Sequence, residues 1–404
     1  MAPRGAYNSY AVECEYEPQS IYLENGQETR ICSELRKLGT KRILIISSEA
    51  VAAYKNVDVF IKKISSEGFR TFFYRRKMPY SSSSDIKGAV SVYREFNCDT
   101  IVVFGGGADI FCAKMVSAMA VNNMKDPVEA EGYGKIRKDI SVLCCIDMDN
   151  STAVSSNISE FRDENTGRWV TVISNYLVPQ IAVIETDIAM RTFTSESVNS
   201  ALDSFIMAIE CCMAPTADFF PTHKACAKNA ISLVADNLVK MKDDPDDAFI
   251  RKKIAAAGLY SGVASRMCGL GYAHIIVHAL KSKYGPECGR LYPRILSEIF
   301  KLTLDKFKDR IAGIYSGLLQ DEVRVDLPNI PGKLPKYYSD EESALALIDL
   351  IDRFNAVVHK EDYNALHISE KEASALSDQI RTVASEFNLE SLDQSIIVRV
   401  LTSL

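Results

Sequence analysis

The run Ile101-Val102-Val103-Phe104-Gly105-Gly106-Gly107 sets three successive glycines directly behind an apolar, β-branched segment, and a helix-forming stretch containing Lys114 follows. No other feature restricts the fold as much. A buried strand that ends in glycines and turns into a helix brings backbone close to a ligand, because glycine has no Cβ to hold it off. The first N–H groups of that helix lack intrahelical acceptors, which suits an anion such as a dinucleotide pyrophosphate. A glycine triplet after a strand is also an ordinary tight turn, so the rest of the chain decides between the two readings.

The flanking sequence favours the first. Arg42 to Ser47 is a short β-branched run, Val51 to Ser66 has helical periodicity, Phe69 to Tyr74 reads as a strand and Ser84 to Phe96 as a helix. Ile140 to Cys145 and Ile181 to Ile184 are further apolar strands. Strand alternating with helix predicts an α/β, Rossmann-like parallel sheet covered on both faces. Beyond about residue 190 the texture changes. Ser197–Met213, Lys224–Lys242, Asp247–Cys268, Ala273–Lys283, Pro293–Phe307, Ser343–Val358 and Glu370–Phe387 all carry helical spacing with short Gly/Pro breaks. The predicted organisation is an α/β nucleotide-binding domain over 1–187 and an all-helical domain over 188–404, with the junction at Thr186-Asp187.

Composition narrows the class of partner. A length of 404 residues with 47% apolar content supports two or three domains with ample cores, and a net charge of −6 offers no basic footprint for nucleic acid. No segment has the length and apolarity of a bilayer span, and Met1-Ala2-Pro3-Arg4 leads into polar residues, so a cytoplasmic protein without a membrane partner is expected. The 11 cysteines lie in apolar segments with no CxxC among them, as buried thiols would.

With these residues in view, the chain resembles the iron-dependent (group III) alcohol dehydrogenases, within the larger group that includes dehydroquinate synthase. The resemblance rests on the Pro18-Gln19-Ser20-Ile21-Tyr22 entry segment, Cys98 to Gly107, Pro179 to Glu185, Ala201-Leu202-Asp203-Ser204-Phe205, and the most specific stretch, Gly269 to His278. It implies the dehydroquinate synthase-like fold and an NAD- or NADP-dependent oxidoreductase. The family pattern binds a divalent metal through an Asp, a His four residues on, a His opening a later helix and a last His before a Gly. Asp203 and His274 match, but Met207 and Cys288 occupy the other two positions. A thioether is a poor ligand for a hard divalent ion. Two readings follow: a three-ligand zinc site of Asp203, His274 and Cys288 with an open fourth position, or loss of the metal, which the apolar Met207 favours.

His278, one turn after His274, shares its helical face. The resemblance places it by the nicotinamide as a proton relay, which makes His274 and His278 the candidate catalytic residues. For the cofactor, the resemblance implies Gly105, Gly106, Gly107, Lys114, Ser48 at the end of the first strand, and Ser151 to Ser156 as the nicotinamide loop. Ala108 and Phe111 depart from the usual Ser and Asp, Val154 from a usual Glu, and Trp169 from a Lys that often follows the loop. Ser48 replaces an Asp that holds ribose hydroxyls, which permits NADP without requiring it. The leading expectation is interconversion of an alcohol or hydroxy acid with a carbonyl on a small-molecule substrate by a homodimer. The alternative is an inactive, nucleotide-binding homologue serving as a partner or regulatory subunit.

Overall fold

A computed structural model of the chain describes residues 19–23, 26–122, 124–137, 140–184, 194–320, 339–359, 366–386, 389 and 391–404. The first part runs β1 (Ser20–Tyr22), α1 (Glu28–Lys37), β2 (Arg42–Ser48), α2 (Glu49–Ala52), α3 (Lys55–Ser66), β3 (Arg70–Arg76), α4 (Ser83–Glu95), β4 (Thr100–Gly105) and α5 (Gly107–Val121). It continues through β5 (Gly132–Tyr133), β6 (Val142–Asp147), β7 (Ile158–Arg162), β8 (Trp169–Ile173) and β9 (Ile181–Ile184). Helices then follow without a strand among the described residues: α6 (Thr194–Met213), α7 (Pro221–Asp243), α8 (Ala248–Cys268), α9 (Tyr272–Tyr284), α10 (Tyr292–Gln320), α11 (Asp340–Val358), α12 (Glu370–Glu386) and α13 (Gln394–Thr402). The expected junction at Thr186-Asp187, together with Pro18 and Glu185, lies outside the described residues.

The main sheet has the order β3-β2-β4-β6-β9-β1 and every pairing in it is parallel. Its central strands are buried on both faces, which is why they read as continuous apolar runs. Ile43, Ile45, Val102 and Phe104 pack with α1 and α3 on one side. Leu44, Ile46, Ile101 and Val103 pack with α4 and α5 on the other. From β2 the chain moves outward to β3, then returns to place β4 on the opposite flank of β2. The strand order reverses there, and the crevice beyond the carboxyl ends of β2 and β4 is where such sheets bind ligands. Ser48 and the glycine triplet stand at that crevice.

Two features lay outside the sequence reading. The stretch read as one helix from Val51 to Ser66 is broken into α2 and α3 at Ala53-Tyr54. A small second sheet, β5-β8-β7, was not anticipated; its β7 and β8 are antiparallel and set Glu160 directly opposite Thr171. This sheet and the main one sandwich α5, which explains why α5 is apolar around its whole circumference.

The helical part docks on the α/β part through α8. A methyl group on Gly258 would lie 2.2 Å from the Asn150 carbonyl oxygen, and one on Gly262 would lie 2.4 Å from the Thr152 carbonyl oxygen. Two glycines one turn apart therefore let α8 rest on the loop after β6. Ser155 Oγ donates to the Leu259 carbonyl at 2.8 Å, and Arg266 Nε donates to the Ser155 carbonyl at 2.6 Å, fastening that contact. No described helix is long and apolar enough to cross a membrane.

Candidate active site

Helix α9 starts abruptly. Gly269, at φ +68°, ends α8 in a conformation that L side chains rarely adopt, and Gly271 opens α9 with no side chain to cap it. Glu210, near the end of α6, fills the space. A Cβ on Gly271 would lie 2.4 Å from Glu210 Oε1, so only glycine admits the carboxylate. Glu210 accepts the Ala273 N–H at 2.6 Å, satisfying a free helix donor, and accepts a short hydrogen bond from His274 Nδ1. On the far side of the ring, Nε2 donates to Asp203 Oδ1 at 3.2 Å.

His274 is thus held between two carboxylates. Burial alone would depress its pKa, but Glu210 and Asp203 outweigh it and push the value up to about 10, so the ring is an imidazolium at neutral pH. The Asp203 side chain keeps 32% of its exposure while that of His274 keeps 3%, so Asp203 is the member of this triad that reaches the cleft.

A second cluster lies beside the first. His278 Nε2 is 3.0 Å from Glu160 Oε2, and its Nδ1 is 2.9 Å from the Thr171 hydroxyl. The facing strand pair of the small sheet therefore grips both ring nitrogens of one helical histidine. Lys281 Nζ is 3.4 Å from Glu160 Oε1 and 3.3 Å from the Tyr292 hydroxyl, and it lies over the Trp169 ring at 5.2 Å. Although burial opposes it, Lys281 and His278 hold the Glu160 carboxyl well below the usual range. Burial raises the Tyr292 phenol far above its ordinary value, so it keeps its proton. The Tyr292 ring lies 4.4 Å from the His274 ring, so the phenol joins the two clusters.

The three-ligand zinc site is not assembled. Among the described residues no group of three or more His, Cys, Asp and Glu side chains could hold a metal ion. His274 Nδ1 faces Glu210 and its Nε2 faces Asp203. Cys288 is a buried thiol of the helical core whose charged neighbours are Lys281 and Glu287, and burial raises its pKa. Met207 lies in the same core. The residues present do not assemble the family's four-ligand set, because Met207 and Cys288 lie in the apolar core and a thioether is a poor ligand for a hard divalent ion.

At the crevice the glycine loop keeps its backbone form. Gly105 has φ +145°, and the first intrahelical bond of α5 runs from Ile110 N to the Gly106 carbonyl, leaving the earlier N–H groups for other acceptors. Free N–H groups at a helix start are the donors that suit a pyrophosphate. The loop's side chains differ from the expectation. Lys114 is fully buried and donates to the Ser156 carbonyl at 2.7 Å, to Ser156 Oγ at 3.3 Å and to the Ile158 carbonyl at 3.0 Å. Burial lowers its pKa to about 7. Lys114 and Ser156 are thus brought together, bonded to each other. Ser48 Oγ accepts the Val51 N–H at 3.3 Å, and Ser151 Oγ accepts the Ala153 N–H at 3.1 Å.

The reading from sequence missed Asp109, Arg76, Glu160, Glu210, Lys281 and Tyr292. Asp109 is buried against Arg76, with Nε to Oδ1 at 2.7 Å, and accepts the Gly106 and Ser48 N–H groups. It is the third residue of α5, where a carboxylate reaches back to the N-cap N–H, so its position in the motif was a usable signal. Glu210 and Glu160 meet their histidines across 64 and 118 residues, and nothing local marks them.

Comparison with known proteins agrees with this architecture. The family model described as "Iron-containing alcohol dehydrogenase" matches residues 18–186, and "Fe-containing alcohol dehydrogenase family, C-terminal" matches residues 197–403. The NAD-dependent methanol dehydrogenase of Bacillus methanolicus is 22% identical over 67% of this chain and 71% of its own. Alcohol dehydrogenase 4 of Schizosaccharomyces pombe is 24% identical over 72% and 68%, respectively. A solved 1,3-propanediol oxidoreductase superposes with a TM-score of 0.84 at 17% identity, covering 96% of this chain and 98% of that one. An alcohol dehydrogenase from Oenococcus oeni gives 0.82 at 17% identity over 96% and 98%. With its two halves matched in order, the chain belongs to the iron-containing alcohol dehydrogenase family of oxidoreductases.

Proposed function

We propose that this protein interconverts an alcohol or hydroxy acid with a carbonyl, using NAD or NADP, and that its own cations and a phenol stabilise the oxyanion that a metal would otherwise hold. The observation that carries the reading is the convergence of three proton-bearing groups: the Tyr292 ring lies 4.4 Å from His274, and its hydroxyl is 3.3 Å from Lys281 Nζ. Ser48, the glycines 105–107 and Ser151 would hold the dinucleotide. When bound, its nicotinamide ring gives or takes the hydride.

The rest of the chemistry belongs to the chain. As a carbonyl is reduced, charge builds on its oxygen, and the Lys281 ammonium and Tyr292 hydroxyl are donors fixed in advance to meet it. Glu160, 3.4 Å away, orients the Lys281 ammonium. His278, tied to Glu160 and Thr171, relays the proton between Lys281 and the cleft, while Asp203 exchanges protons at its exposed edge. The half-buried Trp169 and the buried Tyr292 rings keep water from these donors, which strengthens each interaction.

The experiment is steady-state reduction of a panel of aldehydes, ketones and keto acids with NADH and NADPH, after dialysis against a chelator. Turnover persists without metal, and Lys281→Met lowers kcat about a hundredfold, the usual effect of removing one oxyanion donor, with KM for nucleotide little changed. Equal kcat in Lys281→Met would sink the reading. A homodimer and a cytoplasmic setting complete the proposal; the described cysteines, all free thiols, support the latter.

The second reading, an inactive homologue acting as a partner or regulatory subunit, is favoured by one observation: the Lys114 amine is fully committed to backbone and Ser156 oxygens. Absence of turnover with every carbonyl, alongside retained nucleotide binding, would select it.

A further inference from the structure

The second glycine of the loop opens a space against the backbone, and in this chain a carboxylate fills it. A methyl group on Gly106 would lie 1.9 Å from Asp149 Oδ2 and 2.3 Å from its carboxyl carbon. Asp149 comes from the loop after β6 and shares a side-chain hydrogen bond with the buried Asp147, which in turn accepts the Ser151 N–H at 3.1 Å. Asp109 occupies the other side of the loop, taking the Gly106 and Ser48 N–H groups. Arg76 balances Asp109 at 2.7 Å and is itself locked by the Met78 and Tyr80 carbonyls, each at 2.9 Å, so it is not available to a ligand. With Lys114 turned inward and Arg76 committed, neither of these two buried cations meets a phosphate at the loop.

We propose that Asp149 determines the charge this glycine loop accepts: its carboxylate lies over Gly106 where a pyrophosphate would pass, so phosphate-bearing ligands enter only by displacing it. The inference rests on the reading that the crevice holds a nucleotide. Asp109 is fully enclosed by its ion pair and two N–H donors, whereas Asp149 is partly exposed, so Asp149 is the carboxylate a ligand at Gly106 would meet. Replacing its charge with an isosteric amide keeps the shape and removes the repulsion.

The test is calorimetric titration of the full-length protein, Asp149→Asn and Asp149→Ala with NAD+, NADP+, ADP and adenosine. The expected result is at least tenfold tighter binding of the three phosphate-bearing ligands by both variants, with adenosine unchanged. The gain shrinks as salt rises from about 0.05 M to about 0.5 M, because screening weakens the repulsion being removed. Equal ADP and NAD+ affinities in all three proteins would overturn the role of Asp149 and leave the nucleotide crevice standing. An equal gain for adenosine would overturn the charge argument in favour of simple steric relief. Failure of every protein to bind any of the four ligands would overturn the crevice reading along with it.

Discussion

Two helices, α5 and α9, begin in the same way and end up doing different things. Each opens on glycine with no side-chain cap, and each has a buried carboxylate accepting an N–H at its start, with a buried cation beside it. At α5 the carboxylate is Asp109 of the helix itself, and the cation is Arg76 from the neighbouring strand end. At α9 it is Glu210 from a distant helix, and the cation is His274 of α9. The local device takes the Gly106 N–H of a backbone cradle and leaves the next N–H groups of α5 to an anion. The long-range device holds a buried histidine between two carboxylates that favour its charged form.

The comparison can be broken most forcefully at α9. Glu210→Ala leaves His274 with one carboxylate and the Ala273 N–H without its acceptor. Removing one partner of a buried pair costs roughly 3–5 kcal/mol, read as a lower denaturation midpoint in urea. Glu210→Ala combined with His274→Leu should recover part of that loss, since the stranded cation is gone; no recovery would mean that Glu210 acts only as a helix cap. At α5 the smaller effect is expected. Arg76→Met removes the partner of Asp109, but two backbone N–H groups still bind that carboxylate, so a loss of about 2–3 kcal/mol follows. Equal losses at the two sites would erase the distinction between local and long-range devices.

Legibility followed the same division. The Ile101–Gly107 run, the strand ending at Ser48 and the helix start at Gly271 were readable, because apolar periodicity and glycine placement are properties of neighbouring residues. Helix α8 was placed to within one residue for the same reason. The small sheet was missed because β5 has only two residues and β7 carries the charged Glu160 and Arg162 within five. That Cys288 stands apart from Asp203 and His274 was not legible, because ligand positions were weighed one at a time and spacing does not report which side chains the helical core takes in. Met207 did signal that something at the site had changed. It carried no information about which residue compensated.

The central claim is that His274 is a hydrogen-bonded imidazolium rather than a metal ligand. A group held near pH 10 when folded and near 6.5 when unfolded contributes stability that is complete below about pH 6.5 and is lost as pH rises toward 10. The direct measurement is nitrogen NMR of histidine-labelled protein from pH 6 to 10, with His274 assigned by its loss in His274→Gln and with one equivalent of zinc added at each pH. The account predicts both ring nitrogens protonated beyond pH 8.5 and no shift on adding zinc. A neutral ring at pH 7, or an Nε2 signal that moves with zinc, would contradict it.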